Sequence, residues 1–146
     1  MRNCCLRLAA EDSKFYDNAL ETYQKVLAPE LKTEIGARCQ TEMGLGMVLE
    51  RQAQLKKPPE STALLKAALE HYLNIVAAKN VRDGEELEPL WLKEAGLAAG
   101  SLAEKLQQWN VALKLYERLK SVLPTLGPAM DKKLEKVQQQ MGAEKG

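Results

Sequence analysis

The feature that most constrains this chain is a pattern it repeats three times. Ala19-Leu20-x-x-Tyr23-x-x-Val26, Ala68-Leu69-x-x-Tyr72-x-x-Ile75 and Ala112-Leu113-x-x-Tyr116-x-x-Leu119 share one spacing. Three residues before each alanine stands a bulky side chain: Tyr16, Leu65 and Trp109. Steps of three and four residues put all these positions on one helical face. A small residue there lets two helix backbones approach, and a tyrosine one turn later fills the wider gap beside them. Internal repetition of this kind is the signature of stacked supersecondary units.

The rest of the chain reads as helix too. Ala, Leu, Glu, Lys and Gln dominate, β-branched residues are scarce, and no stretch alternates apolar with polar residues. Apolar stripes run along Leu65, Ala68, Tyr72 and Ile75, along Ala112, Tyr116, Leu119 and Leu123, and along Met130, Leu134, Val137 and Met141. The breaks are Pro58-Pro59-Glu60-Ser61, Asn80 to Gly84, Pro124 and Gly127-Pro128. Pro89 suits a helix's first turn. The predicted helices are 2–12, 14–27, 32–55, 61–79, 87–107, 110–122 and 128–141.

These residues resemble the tetratricopeptide repeat family, whose second helix carries an alanine, then an aromatic four residues on, with a proline closing the unit. Lys93 to Leu126 matches best, with Gly100 at the first helix's crossing, then Trp109, Ala112, Tyr116 and Pro124. Gly46 takes the small position of the previous unit, and Arg2–Asp12 would be the short, clipped helix before Ala19. The pattern also departs from the family. The alanines lie 49 and then 44 residues apart, against a family period of about 34. Lys56 to Thr62 fills one insertion, and Ala103 stands where the family has a large aromatic. The long spacing is loosely similar to the extended repeats of bacterial envelope proteins. The resemblance implies an all-α fold in which antiparallel helix pairs stack into a short right-handed solenoid of six to seven helices. The expected layout is one domain over 1–146, with units at 1–29, 32–80 and 87–126 and a capping helix at 128–141.

A solenoid of this type implies a protein–protein interaction module or scaffold that works without a cofactor and is not an enzyme. Its partner is another protein or a peptide segment. The expected groove residues are Glu94, Leu97, Ser101, Glu104 and Lys105 on one unit and Gln40, Gly44, Met47, Glu50 and Arg51 on the preceding one. Chaperone-binding family members carry a lysine–asparagine clamp for a C-terminal carboxylate. Leu97 with Ser101, and Gly44 with Met47, replace it here, which disfavours a chaperone tail. The edge at Cys4, Leu6 and Leu8 is expected to meet a preceding unit or a second copy, giving self-association through the N-terminal helix. The alternative function is a small-ligand binder or enzyme using the interhelical groove.

Composition narrows the partners. Twenty-one basic against twenty acidic side chains leave a net charge of +1, without the basic stripe of a nucleic-acid binder. The apolar run Ala95–Ala103 is too short to span a bilayer. No secretory apolar core follows the N-terminus, so an export signal, if one exists, is expected outside the chain. Cys4, Cys5 and Cys39 suit reduced thiols rather than a disulfide framework or a zinc site. The default compartment is the cytoplasm, with the bacterial periplasm next if such a signal exists.

Other candidate sites have plainer explanations. His71, beside Tyr72, reads as a surface histidine rather than a catalytic base. Gly44, Gly46, Gly96 and Gly100 lie in helices and suit close packing better than a phosphate loop. Glu85, Glu86, Glu88, Glu94 and Glu104 suit a loop, a helix's first turn or a solvated face, not a carboxylate pair. Tyr23, Tyr72, Trp109 and Tyr116 are assigned to the core.

Overall fold

The computed structural model describes the backbone of residues 2–28 and 31–145, and side chains from 14–28 and 31–144. Among the described residues six α-helices follow one another: α1 (Arg2–Val26), α2 (Ile35–Gln54), α3 (Glu60–Val76), α4 (Pro89–Lys105), α5 (Trp109–Val122) and α6 (Gly127–Lys145). A 3-10 turn, Pro124–Leu126, joins the last two, and no strand occurs among the described residues.

Proline and glycine set most boundaries. Pro89 opens α4, where its missing N–H has no helical partner to lose. The residue before a proline avoids helical ψ, so the Leu123–Pro124 step closes α5. Helices α3 and α4 end alike. Lys79 N–H reaches back to Asn74 O at 2.9 Å, and Gln108 N–H to Ala103 O at 2.8 Å. These are the six-to-one bonds of a Schellman cap. The residue such a cap turns through lies at positive φ, and here it is Ala78 (56°) and Gln107 (58°) rather than glycine.

The first helix corrects the expectation of a break near residue 13. Arg2–Val26 is one uninterrupted helix, so no separate clipped helix precedes the one bearing Ala19. Asp12 and Ser13 would serve as a cap, but no proline or glycine lies between Arg2 and Val26 to end the preceding turn. The helices among the described residues therefore number six.

The chain divides into two compact units, Met1–His71 and Tyr72–Gly146, with the division inside α3. In the first unit α1 packs on α2. The Tyr23 ring lies over Gly44, where a Cβ would stand 2.9 Å from the ring carbons. Gln52 Nε2 donates to Asp17 Oδ1 at 2.8 Å, binding the same two helices. Cys39, Leu45, Leu49, Ala53, Ala68 and Leu69 supply this unit's apolar core.

In the second unit α5 is flanked by α4 and α6. A Cβ on Gly96 would fall 2.7 Å from Leu119 Cδ2, and one on Gly100 2.7 Å from Tyr116 Cζ. Two glycines one turn apart thus form a trough that takes a leucine and a tyrosine. Ala112, Leu115, Tyr116 and Leu119 are buried between the neighbours, with Met130 and Val137 closing the α6 side. Leu134 and Met141 on the same α6 stripe are half-buried. The C-terminal helix therefore covers the flank of α5.

Candidate functional site

Sequence reasoning places the site on the outward stripes of α2 and α4. On α2, Gln40, Met47 and Arg51 are exposed, and Met47 keeps half of its surface open to water. Glu50 is partly covered. These positions are spaced seven and four residues apart, so they form one strip along the helix. Gly44, expected within that strip, lies under the Tyr23 ring and belongs to the α1 crossing.

On α4, Glu94, Ser101 and Lys105 are exposed and Leu97 is partly so. Glu104 departs from the expectation. Its side chain is 17 % exposed, and its Oε2 accepts a 2.5 Å hydrogen bond from the Tyr116 hydroxyl. The cause is local geometry. The ring that fills the space above Gly100 directs its hydroxyl along the helix, and residue 104 is one turn further on the same face. Lys136 lies 3.8 Å from the other carboxylate oxygen, and the Lys133 ammonium sits 5.5 Å from the Tyr116 ring centroid. Burial, reinforced by the Glu104 carboxylate, pushes the Tyr116 phenol well above its ordinary range. Glu104 therefore leaves the candidate surface and becomes the link between α4 and α5.

The buried polar side chains among the described residues, Arg38, Thr41, Glu42 and Gln52, all come from α2. Thr41 Oγ1 donates to Ala37 O at 2.7 Å, a local bond back to its own helix. Arg38 Nη1 donates to the Thr33 carbonyl. His71 is not a free surface histidine: its Nδ1 stands 2.6 Å from Glu42 Oε2, with the two side chains 25 % and 8 % exposed. A histidine held on a carboxylate can serve as an oriented base. Here it joins α3 to α2 across 29 positions of sequence, which helical spacing gives no means of anticipating.

The acidic residues separate into unrelated roles. Glu85 Oε1 accepts the Arg82 N–H at 2.7 Å within the loop, and Glu88 immediately precedes α4. No group of three or more His, Cys, Asp or Glu among the described residues could hold a metal ion. No helix among them is long and apolar enough to cross a membrane. Cys39 is a fully buried cysteine, whereas the side chains of Cys4, Leu6 and Leu8 lie outside the described residues.

Tyr72 and Tyr116 are core residues as expected, and Tyr23 is half-buried on Gly44. Trp109 is not in the core. Its indole N–H donates to Glu144 Oε1 at 2.6 Å on the surface, beside an open cleft of about 590 Å³ that also contacts Gln107 and Met141. In the first unit a second cleft, about 540 Å³, runs between Leu20, Leu49, Gln52, Lys56, Glu60 and Leu64. Compared with known proteins, the chain matches no family model, no curated protein and no solved structure.

Proposed function

We propose that this chain is a protein–protein interaction module of the tetratricopeptide type, in which helix pairs act as rigid supports for a binding strip. The observation that carries this reading is the glycine–tyrosine crossing. It joins Tyr23 of α1 to Gly44 of α2, and Tyr116 of α5 to Gly100 of α4, which supports helix pairing through a glycine–tyrosine contact, with the tyrosine on the earlier helix in the first pair and on the later helix in the second. On this reading the pairs form a short right-handed solenoid within a larger array or assembly.

The strips on α2 (Gln40, Met47, Glu50, Arg51) and on α4 (Glu94, Leu97, Ser101, Lys105) combine apolar and charged side chains. That chemistry suits an amphipathic helix or an extended segment, with Met47 and Leu97 as apolar anchors and the charges setting register. Methionine adapts its shape to a partner at low cost.

The test is affinity capture with the purified chain beside two variants, Met47→Glu and Leu97→Glu. A bound protein lost from both variants, with unchanged thermal melts, is the expected outcome. Turnover of a small substrate that vanishes in His71→Ala and survives in both strip variants would replace the module with an enzyme.

A further inference from the structure

The motif that α5 buries on both flanks is open on α1. Ala112 and Ala68 are completely buried, whereas Ala19 at the matching position is only half-covered. The inward face of α1 is committed to α2 through Tyr23 and Asp17. Its outward face carries Phe15, 65 % exposed, at one end of a shallow hollow of about 290 Å³. Asn18, Ala19, Thr22 and Tyr23 form the rest of that hollow. The Thr22 hydroxyl already donates to Asn18 O at 2.9 Å, so drying this surface leaves that donor satisfied.

We propose that this face pairs with the same face of a second copy, α1 against α1 in antiparallel, each Phe15 seated in the other copy's hollow. The helix carries both a projecting ring and a recess, centred near residue 20, that suits one. A two-fold axis level with the Asp17–Asn18 step brings ring and recess together twice, as an isologous contact requires. The charges agree with the same axis. Lys14 and Glu21 are seven residues apart, hence on one edge of the stripe, and this axis sets Lys14 level with Glu21 of the second copy and the reverse. Glu21 already pairs with Lys25 at 3.5 Å within its own helix, so each carboxylate gains a second cation. Small Ala19 at the centre permits the close approach that the glycines of α4 provide for α5. This pairing uses α1 alone and does not depend on the strips of α2 and α4.

Sedimentation velocity of the full chain over a wide concentration range tests it. Wild type is expected to form a dimer. Phe15→Glu is expected to raise its dissociation constant at least about a hundredfold, because one substitution removes two symmetry-related anchors. Since Phe15 is largely exposed, this variant should melt as the monomer does. Lys14→Glu should weaken the dimer and Lys14→Glu/Glu21→Lys should restore it. A wild type that stays monomeric throughout overturns the proposal. So does a dimer indifferent to Phe15→Glu, or a charge exchange that fails to restore association.

Discussion

Gly100 is the position where local and tertiary preferences conflict most directly, and Gly100→Ala measures the balance. Alanine favours an exposed helix interior over glycine by about 1 kcal/mol. The added Cβ, however, would stand 2.7 Å from Tyr116 Cζ and 2.8 Å from its hydroxyl oxygen, well inside contact distance. The ring has little freedom to move, because Tyr116 is fully buried and α6 lies on its other side. Forcing a methyl into a packed core costs about 1–3 kcal/mol. If the ring instead swings away, it gives up its bond to the Glu104 carboxylate, a class of interaction worth roughly 1.5–3 kcal/mol. The net expectation is a loss centred on about 1 kcal/mol and reaching about 2 kcal/mol. For a unit of this size a loss of about 1 kcal/mol lowers the melting temperature by roughly 4–8 °C. Both tryptophans, Trp91 and Trp109, belong to the second unit, so urea unfolding followed by tryptophan fluorescence reads the effect there. Gly36→Ala is the paired control. Nothing lies within 4 Å of its added Cβ, and it should stabilise the chain by about 0.5–1 kcal/mol. A Gly100→Ala protein more stable than wild type by about 1 kcal/mol, the helix preference acting alone, would refute the packing argument.

Four further substitutions probe other contacts. Ala78→Gly and Gln107→Gly should each raise stability by up to about 1 kcal/mol in urea titrations, because glycine alone occupies the left-handed cap without strain. Tyr116→Phe should destabilise the second unit at neutral pH by roughly 1.5–3 kcal/mol. Its deficit against wild type should shrink as pH rises above about 10, where the unfolded phenol ionises first. The sign follows from the raised phenol in the folded state: its contribution is complete below the unfolded value and fades as pH climbs toward the folded one. A deficit constant up to strongly alkaline pH would contradict the buried, neutral hydroxyl. Glu42→Ala should cost about 2 kcal/mol or more by leaving His71 without its carboxylate in a largely dry site, as read from far-UV circular dichroism melts.

The legible part of this fold is the part governed by local rules. Helical periodicity gave α2 to α6 to within a few residues at most ends, and the alanine-to-tyrosine step identified Ala68, Tyr72, Ala112 and Tyr116 as core. The break expected near residue 13 is absent because no proline or glycine between Arg2 and Val26 stops the helix there. Glu104 misled for a different reason. On a helical wheel it sits beside Ser101 and Lys105, and only the tyrosine hydroxyl above Gly100 draws it inward. Trp109 occupies a core-like position in the motif, but at the first residue of α5 its ring reaches the edge of the unit. The Glu42–His71 contact joins two helices with no sequence signature, since neither side chain's burial follows from its neighbours.

The glycine–tyrosine crossings also bear on how such a sequence can drift. Neither partner can change freely alone, since a larger residue at 44 or 100 meets a ring and a smaller one at 23 or 116 leaves a void. The volume belongs to the pair, so tolerated change should arrive as compensated exchanges, for example Gly100→Ala together with Tyr116→Leu. In related chains, positions 44 with 23 and 100 with 116 should then vary jointly, while Gly36 and Gly142, where an added Cβ meets nothing within 4 Å, vary independently. Two columns moving together would mark this crossing even where every other letter of the motif has been lost.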